Sequence, residues 1–372
     1  MIPVQRPELG EDELKAVGAV FNSRWLGLGA TTKEFEVRLK DILGVKHVLA
    51  VNTGTSALHL AIEALQLKLG DEVIVPSLTF VASVQAILMA GLKPVFCEVL
   101  PETLNLDLES VKRVITPRAR VIMPVHYSGL ACEMDEILAY AKSRQLRVVE
   151  DAAHAFGSAY KGRKVGTLGD LTCFSFDPIK NITCGEGGAV TTDNDELAGI
   201  MIPKRILGIE NDTWSRYRNE RNWSYEVVTP GYRYHLPNIN AAIGLVQLDK
   251  MGRFRERKSA IVRRYDEALA GLDGLSLIRR NLDDTFPFCY IVRILRGRRN
   301  ALAAHLKALG VITGVHYIPN HLQPLFQAQR QPLPVTEQLF EEIITLPLFY
   351  EMTDGEVEQV VNGVRTFFTQ AK

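Results

Sequence analysis

A lysine and an aspartate stand at the ends of two apolar segments of this chain. Lys180 lies in Phe174-Ser175-Phe176-Asp177-Pro178-Ile179-Lys180-Asn181-Ile182-Thr183-Cys184-Gly185-Glu186-Gly187-Gly188, where an apolar strand runs into a glycine-rich turn that delivers an amine and, at Ser175, a hydroxyl. Asp151 closes Val148-Val149-Glu150-Asp151, a second apolar run. An amine that can form a Schiff base and a carboxylate that can partner a pyridine nitrogen, both at strand ends, are what pyridoxal phosphate (PLP) chemistry requires. A lysine tucked behind an apolar strand is costly unless chemistry or an anion holds it, and condensation to an imine removes much of that cost.

Three further segments fit the same chemistry. In Val51-Asn52-Thr53-Gly54-Thr55-Ser56-Ala57 a strand ends, Gly54 makes the turn and a helix opens. Its free N–H groups, its dipole and the Thr55 and Ser56 hydroxyls would cradle a phosphate, although Thr55 or Ser56 acting as a plain helix cap fits equally well. Phe80, in Pro76-Ser77-Leu78-Thr79-Phe80-Val81-Ala82-Ser83, can stack on a flat heteroaromatic ring or belong to the core. Asp151 can ion-pair with a ring nitrogen or cap a helix; His154 can hydrogen-bond near that ring or satisfy a loop; Ser175 would bind the phosphate.

Short β-branched runs separated by helical patterns position these residues. Strands are expected at His47–Val51, Glu72–Pro76, Pro94–Val99, Arg118–Pro124, Arg147–Glu150, Leu171–Phe176 and Gly188–Thr192. They predict an α/β sheet covered on both faces, with a ligand at the strands' C-terminal ends. After Tyr234 the pattern changes to a long amphipathic helix through Ile239–Leu248 to about Leu269. Strands at Phe288–Ile294 and Val311–Tyr317 and helices at Arg299–Leu309 and Gly355–Phe368 follow. The expected division is a large domain with an N-terminal arm over residues 1–250 and a smaller α+β domain over 251–372.

With 372 residues, 47% hydrophobic and 23% charged, the chain can build two cores, since single cores stop growing near about 250–300 residues. Basic and acidic residues number 43 each, so the net charge gives no global ground for binding nucleic acid or an anionic membrane. Cys97, Cys132, Cys173, Cys184 and Cys289 are scattered without a C-x-x-C pair; they read as reduced, buried thiols and offer no metal-ligand spacing. No apolar run reaches the roughly 18 residues of a membrane span, and Met1–Pro7 lacks a basic region followed by an apolar stretch. A soluble cytoplasmic enzyme is expected.

Taken together these segments resemble the sugar aminotransferases of the DegT/DnrJ/EryC1/StrS type, fold-type-I PLP enzymes that act mostly on nucleotide-linked keto sugars. Ser23-Arg24-Trp25-Leu26-Gly27-Leu28-Gly29, Gly70–Phe80, Pro124-Val125-His126-Tyr127-Ser128-Gly129, Glu150–His154, the Lys180 segment and Val315-His316-Tyr317-Ile318-Pro319-Asn320-His321 carry the resemblance over nearly the whole chain. It implies a mostly parallel seven-stranded sheet, Lys180 as the Schiff-base lysine, Asp151 as the pyridinium partner, Phe80 on the ring, and Thr55 and Ser175 on the phosphate. It also implies a homodimer with active sites at the interface, and His316, Tyr317 and His321 near the substrate, although a strand end with a capped loop accounts for those three as well. The reaction implied moves the amino group of L-glutamate onto a nucleotide-linked keto sugar, making an amino sugar for a surface polysaccharide such as lipopolysaccharide, a glycan or an antibiotic.

One stretch departs from the family pattern. Thr229-Pro230-Gly231-Tyr232-Arg233-Tyr234-His235 carries Arg233 where an asparagine usually reaches the partner subunit's PLP phosphate, and His235 where an arginine is usual. Arginine can bind phosphate by a charge-assisted fork. The Ile179–Cys184 and Thr229–Tyr232 segments look most like enzymes that aminate C4 of 4-keto pentoses and 4-keto-6-deoxyhexoses; amination at C3 is the alternative. A PLP-dependent sugar dehydratase carries histidine at the lysine position, which Lys180 opposes. A PLP-binding regulator without activity is opposed by Asp151 and Lys180 together. Ile209–Tyr225, mixing arginines with aromatics, reads either as a holder of a nucleotide diphosphate or as a solvated loop.

Overall fold

The structure, a computed structural model, describes residues 1–210, 224–329 and 331–369. Nine strands fall in the first of these stretches: β1 (His47–Val51), β2 (Glu72–Pro76), β3 (Lys93–Cys97), β4 (Ala119–Ile122), β5 (Arg147–Asp151), β6 (Ala159–Tyr160), β7 (Arg163–Lys164), β8 (Leu171–Ser175) and β9 (Gly188–Thr192). β6 and β7 form a small hairpin, and the other seven form one sheet in the order β1-β9-β8-β5-β4-β2-β3. Pairing is parallel from β3 through β8, whereas β9 runs antiparallel to both β8 and β1. One reversed strand between β8 and β1 leaves β1 pointing the same way as the parallel set. The C-terminal ends of β1, β2, β5 and β8 therefore share one edge of the sheet.

Both sheet faces are buried, and alternate residues feed two different cores. Leu49, Val51, Val73, Val75, Val149, Leu171 and Cys173 pack with the helices Gly54–Ala64, Val81–Met89 and Asp195–Lys204. Ala50, Ile74, Val148 and Phe174 pack on the other side with Ala30–Leu43, Met134–Ser143 and the start of the helix Asn238–Leu269. That helix contributes Ala241 and Leu248 there and Ile261, Val262, Tyr265 and Leu269 to a third core. The third core is built on the antiparallel sheet β10 (Leu275–Leu277), β11 (Tyr290–Ile294) and β12 (Ile343–Leu346), with the helices Arg299–Ala308 and Asp354–Thr369. Among the described residues, no helix is long and apolar enough to cross a membrane.

The expected strand at Val311–Tyr317 does not form. Val311 makes a single bridge to Ile2 and Gly314 one to Thr345, and the third strand of the small sheet is β12 instead. Gly310 in a left-handed conformation turns the chain out of the preceding helix, and the N-terminal arm takes the place beside Val311. β12 was hidden because Ile343-Ile344-Thr345-Leu346 follows the helix Pro334–Glu342 with no turn residue between them.

A buried polar group braces the edge where β4 and β5 end. Glu150 and His126 are both fully buried, with His126 Nε2 2.7 Å from the Glu150 carboxylate. The Cys132 N–H donates to His126 Nδ1 at 3.1 Å, so that nitrogen carries no proton and Nε2–H must be the donor to Glu150. Gly169 N–H and Thr172 Oγ1 donate to the other carboxylate oxygen, each at 2.7 Å. Replacing His126 by leucine strips one donor from a buried carboxylate and one acceptor from a buried N–H, and should cost about 2–3 kcal/mol. A fall in the denaturant midpoint of His126→Leu checks this, and an unchanged midpoint would contradict it.

Candidate active site

The segment after β8 is a closed loop. Phe176 carbonyl accepts from Cys184 N–H at 2.9 Å, and inside it Asp177 forms a turn through Ile179 N–H on its carboxylate and Lys180 N–H on its carbonyl, both at 3.1 Å. The turn sends Lys180 toward the sheet edge, its Nζ 4.5 Å from the centre of the Phe288 ring. Burial lowers the Lys180 pKa below the usual lysine value, while Asp177, Asp151 and Cys289 oppose that shift.

Asp151, at the end of β5, is 4% exposed. Its carboxylate accepts from Ala153 N–H at 3.1 Å and from the Ser83 hydroxyl at 2.6 Å. Because the Ser83 proton is committed there, the Thr79 hydroxyl 2.8 Å away donates to Ser83. Neither Thr79 nor Ser83 was expected from the sequence as a partner of Asp151. Their spacing of four in a segment that opens a helix was the available signal, and the partner lies 68 residues further along the chain.

Thr53 caps the helix Gly54–Ala64 by accepting Ser56 N–H at 3.0 Å, and its carbonyl takes Ala57 N–H at 3.1 Å. The N–H groups of Gly54 and Thr55, first in the helix, have no carbonyl a turn earlier within it. Gly54 is required by close approach: a Cβ there would meet Ser175 Cβ at 2.8 Å. Across the opening His154 stacks on Phe288, ring centres 4.1 Å apart, with its Nε2 3.0 Å from the Tyr317 hydroxyl. Phe80 leans against Tyr317 at 5.3 Å, and His316 Nδ1 lies 2.8 Å from Thr345 Oγ1. Burial, reinforced by the neighbouring Lys180, holds His154 well below the usual histidine value and His316 down at about 4. Both rings are neutral at pH 7.

Gly54, Thr55, Phe80, Asp151, His154, Ser175, Lys180, His316 and Tyr317 all line one cavity of about 400 Å³. Ser56 does not: its hydroxyl donates to Asn52 Oδ1 at 2.7 Å. His321 is fully buried between Ser77 Oγ at 2.7 Å and Glu337 at 3.1 Å, pinning the turn Asn320–Leu322 to the end of β2. Arg233 is exposed and its backbone bridges to Ile206, away from this cavity. Asp177, Ile179 and Glu186 line the cavity without having been expected there, and burial together with Asp177 raises the Glu186 pKa. Within the arginine-rich stretch Ile209–Tyr225, residues 211–223 lie outside the described residues.

The arrangement places a nucleophilic amine, a hydrogen-bonded carboxylate and a helix N-terminus around one opening. Known proteins resemble the chain over nearly its whole length. The profile of the DegT/DnrJ/EryC1/StrS aminotransferase family matches residues 7–365. The uncharacterized protein MJ1066 of Methanocaldococcus jannaschii is 39% identical over 378 residues, 99% of this chain and 98% of its own length. The aminotransferase TlmJ of Streptoalloteichus hindustanus is 36% identical and superposes with a TM-score of 0.93, covering 100% of this chain and 99% of its own. PseC of Helicobacter pylori, an aminotransferase involved in pseudoaminic acid biosynthesis, is 27% identical with a TM-score of 0.93 over 99% of each chain. The chain belongs to the DegT/DnrJ/EryC1/StrS aminotransferase family, whose members depend on PLP.

Proposed function

We propose that this protein is a PLP-dependent aminotransferase that moves the amino group of L-glutamate onto a nucleotide-linked keto sugar, with C4 of a 4-keto-6-deoxyhexose or 4-keto pentose as the acceptor carbon. The observation that carries the reading is the convergence of Lys180, Asp151, Ser175 and the Gly54–Thr55 helix start on one cavity. These residues fit the cofactor. The free N–H groups of Gly54 and Thr55, with the Thr55 and Ser175 hydroxyls, would hold its phosphate. Asp151 would pair with the ring nitrogen, Phe80 would lie against the ring, and Lys180 would form the Schiff base. His154 Nδ1 is buried without a partner, and a polar group of cofactor or substrate would satisfy it.

When bound, PLP supplies an electron sink for the carbanion that amino transfer generates. Lys180, its pKa lowered by burial, would carry the proton from the donor Cα to the cofactor in the first half of the reaction and a proton from the cofactor to the acceptor carbon in the second. Thr79 and Ser83 hold the Asp151 carboxylate in one orientation. His316 and Tyr317 line the same cavity and would meet the sugar there. Phe80 is 53% exposed and Ile179 38% exposed at the rim of the same cavity. A second subunit would cover these side chains, and Arg233 of that subunit would then reach the phosphate, in a homodimer with sites at its interface.

Lys180→Ala should lower turnover by about a thousandfold or more while the fold is kept, because it removes both the Schiff-base amine and the base. Production of 2-oxoglutarate from L-glutamate measures this, and near-wild-type turnover would sink the assignment. Ser83→Ala should leave Asp151 short of one donor at a cost of about 1–2 kcal/mol, read as weaker PLP binding in a fluorescence titration.

A pH dependence follows from the two histidines. An unfolded histidine titrates near about 6.5, whereas folded His316 does so at about 4 and His154 well below its usual value. Below pH 6.5 the unfolded chain therefore binds more protons than the folded one, and stability falls as the pH drops toward 4. His316→Asn should flatten the melting temperature against pH in that window; a slope equal to that of the wild type would contradict the assignment.

A further inference from the structure

Lys258 is a buried cation to which the proposed reaction gives no task. It stands on the helix Asn238–Leu269 at 6% exposure, with the Phe286 ring 5.4 Å from its Nζ. The amine donates to Asn181 Oδ1 at 2.8 Å and to the Phe288 carbonyl at 3.3 Å. Lys250, two turns earlier on the same helix, is instead paired with Glu8 and Glu13. An amine facing two neutral oxygens in place of a carboxylate is expensive to bury, and burial brings Lys258 down to about 7. Both acceptors are served whether the amine is charged or neutral, since two N–H groups suffice.

Each acceptor leads to Lys180. Asn181 is the next residue in the chain, and its Nδ2 donates to the carbonyls of Phe156 at 3.4 Å and Phe286 at 3.2 Å. Lys258 thus completes the hydrogen bonding of the amide that anchors the turn carrying Lys180. Phe288 is the aromatic floor: its ring lies 4.5 Å from Lys180 Nζ and stacks on His154 at 4.1 Å. One amine on the long helix therefore bonds both the residue next to Lys180 and the backbone of the residue whose ring lies against the Lys180 amine.

We propose that Lys258 is a positioning residue for Lys180, its two hydrogen bonds clamping the Lys180–Asn181 turn to the Phe288 floor and so setting how far the Lys180 amine is held from water. The inference rests on Lys180 being the reacting amine, but its first test reads the amine itself. Trace acetylation followed by peptide mass spectrometry, carried out against pH on protein stripped of cofactor, gives the titration of Lys180. Lys258→Met keeps the stem and loses both donors; the Lys180 titration should move up toward the ordinary lysine range by about half a pH unit or more. Lys250→Met, which disrupts a carboxylate pair elsewhere on the helix, should leave it in place.

In the PLP-loaded protein, Lys258→Met should lower kcat about tenfold with KM for L-glutamate within about twofold, the signature of a misplaced group that reacts only in the transition state. Asn181→Ala cuts the same clamp at its other end and should shift Lys180 in the same direction, which decides the matter if Lys258→Met does not fold. An unmoved Lys180 titration in the folded variants overturns the proposal. A moved titration in a protein that neither binds PLP nor forms 2-oxoglutarate sustains the clamp and refutes the aminotransferase reading in its place.

Discussion

A lysine amine held half-buried against an aromatic ring at the edge of the sheet is the contact around which this site is arranged. Lys180 rests over Phe288, and burial lowers its affinity for a proton even though Asp177 and Asp151 act against the shift. A lysine whose pKa is lowered is more often neutral than one in water, but only while the groups around it stay in place. The closed loop from Phe176 to Cys184, the Phe288 floor stacked on His154, and the hydrogen bonds of Asn181 all serve that condition. Each is a contact that would be wasted on a solvated surface lysine.

The sheet supplies the second requirement, which is that groups far apart in sequence meet at one edge. A parallel arrangement brings strand C-termini to the same side, and the single reversal at β9 keeps β1 in register with the rest. Gly188 at the start of β9 sits opposite both Val51 and Ser175, so the helix that begins at Gly54 lies beside the end of β8. Within β5, the fully buried Glu150 ties the segment after β4 to the start of β8 through His126, Gly169 and Thr172. Asp151 projects from that braced point into the cavity, and its remaining freedom is removed by Ser83.

Much of this was legible because the chemistry sits at the ends of strands that are themselves easy to read. The seven sheet strands are short apolar runs, most of them rich in β-branched residues, and Gly54, Thr55, Asp151, Ser175 and Lys180 lie within a few residues of their ends. What was not legible depends on partners distant in the chain. Ser56 has the right type and place for a phosphate ligand, yet Asn52 takes its hydroxyl. His321 follows His316 and Tyr317, which line the cavity, but Ser77 and Glu337 hold it in the protein interior. Phe288 and Lys258 carry no motif at all; their relation to Lys180 exists only once the long helix and the strand β11 have packed against the loop after β8. The three-stranded sheet was read less well for a similar reason, since β12 looks like the tail of a helix until Thr345 finds Ile291.

The decisive question is whether Lys180 and the cavity around it carry amino groups between two substrates. The direct measurement is the visible absorption of the PLP-loaded protein during titration with L-glutamate, followed by addition of nucleotide-linked keto sugars one at a time. Glutamate should remove the absorption of cofactor joined to Lys180, and one keto sugar of the panel should restore it. If neither glutamate nor any other amino acid changes the spectrum of protein that has bound PLP, the cavity does not perform amino transfer and the central claim is wrong.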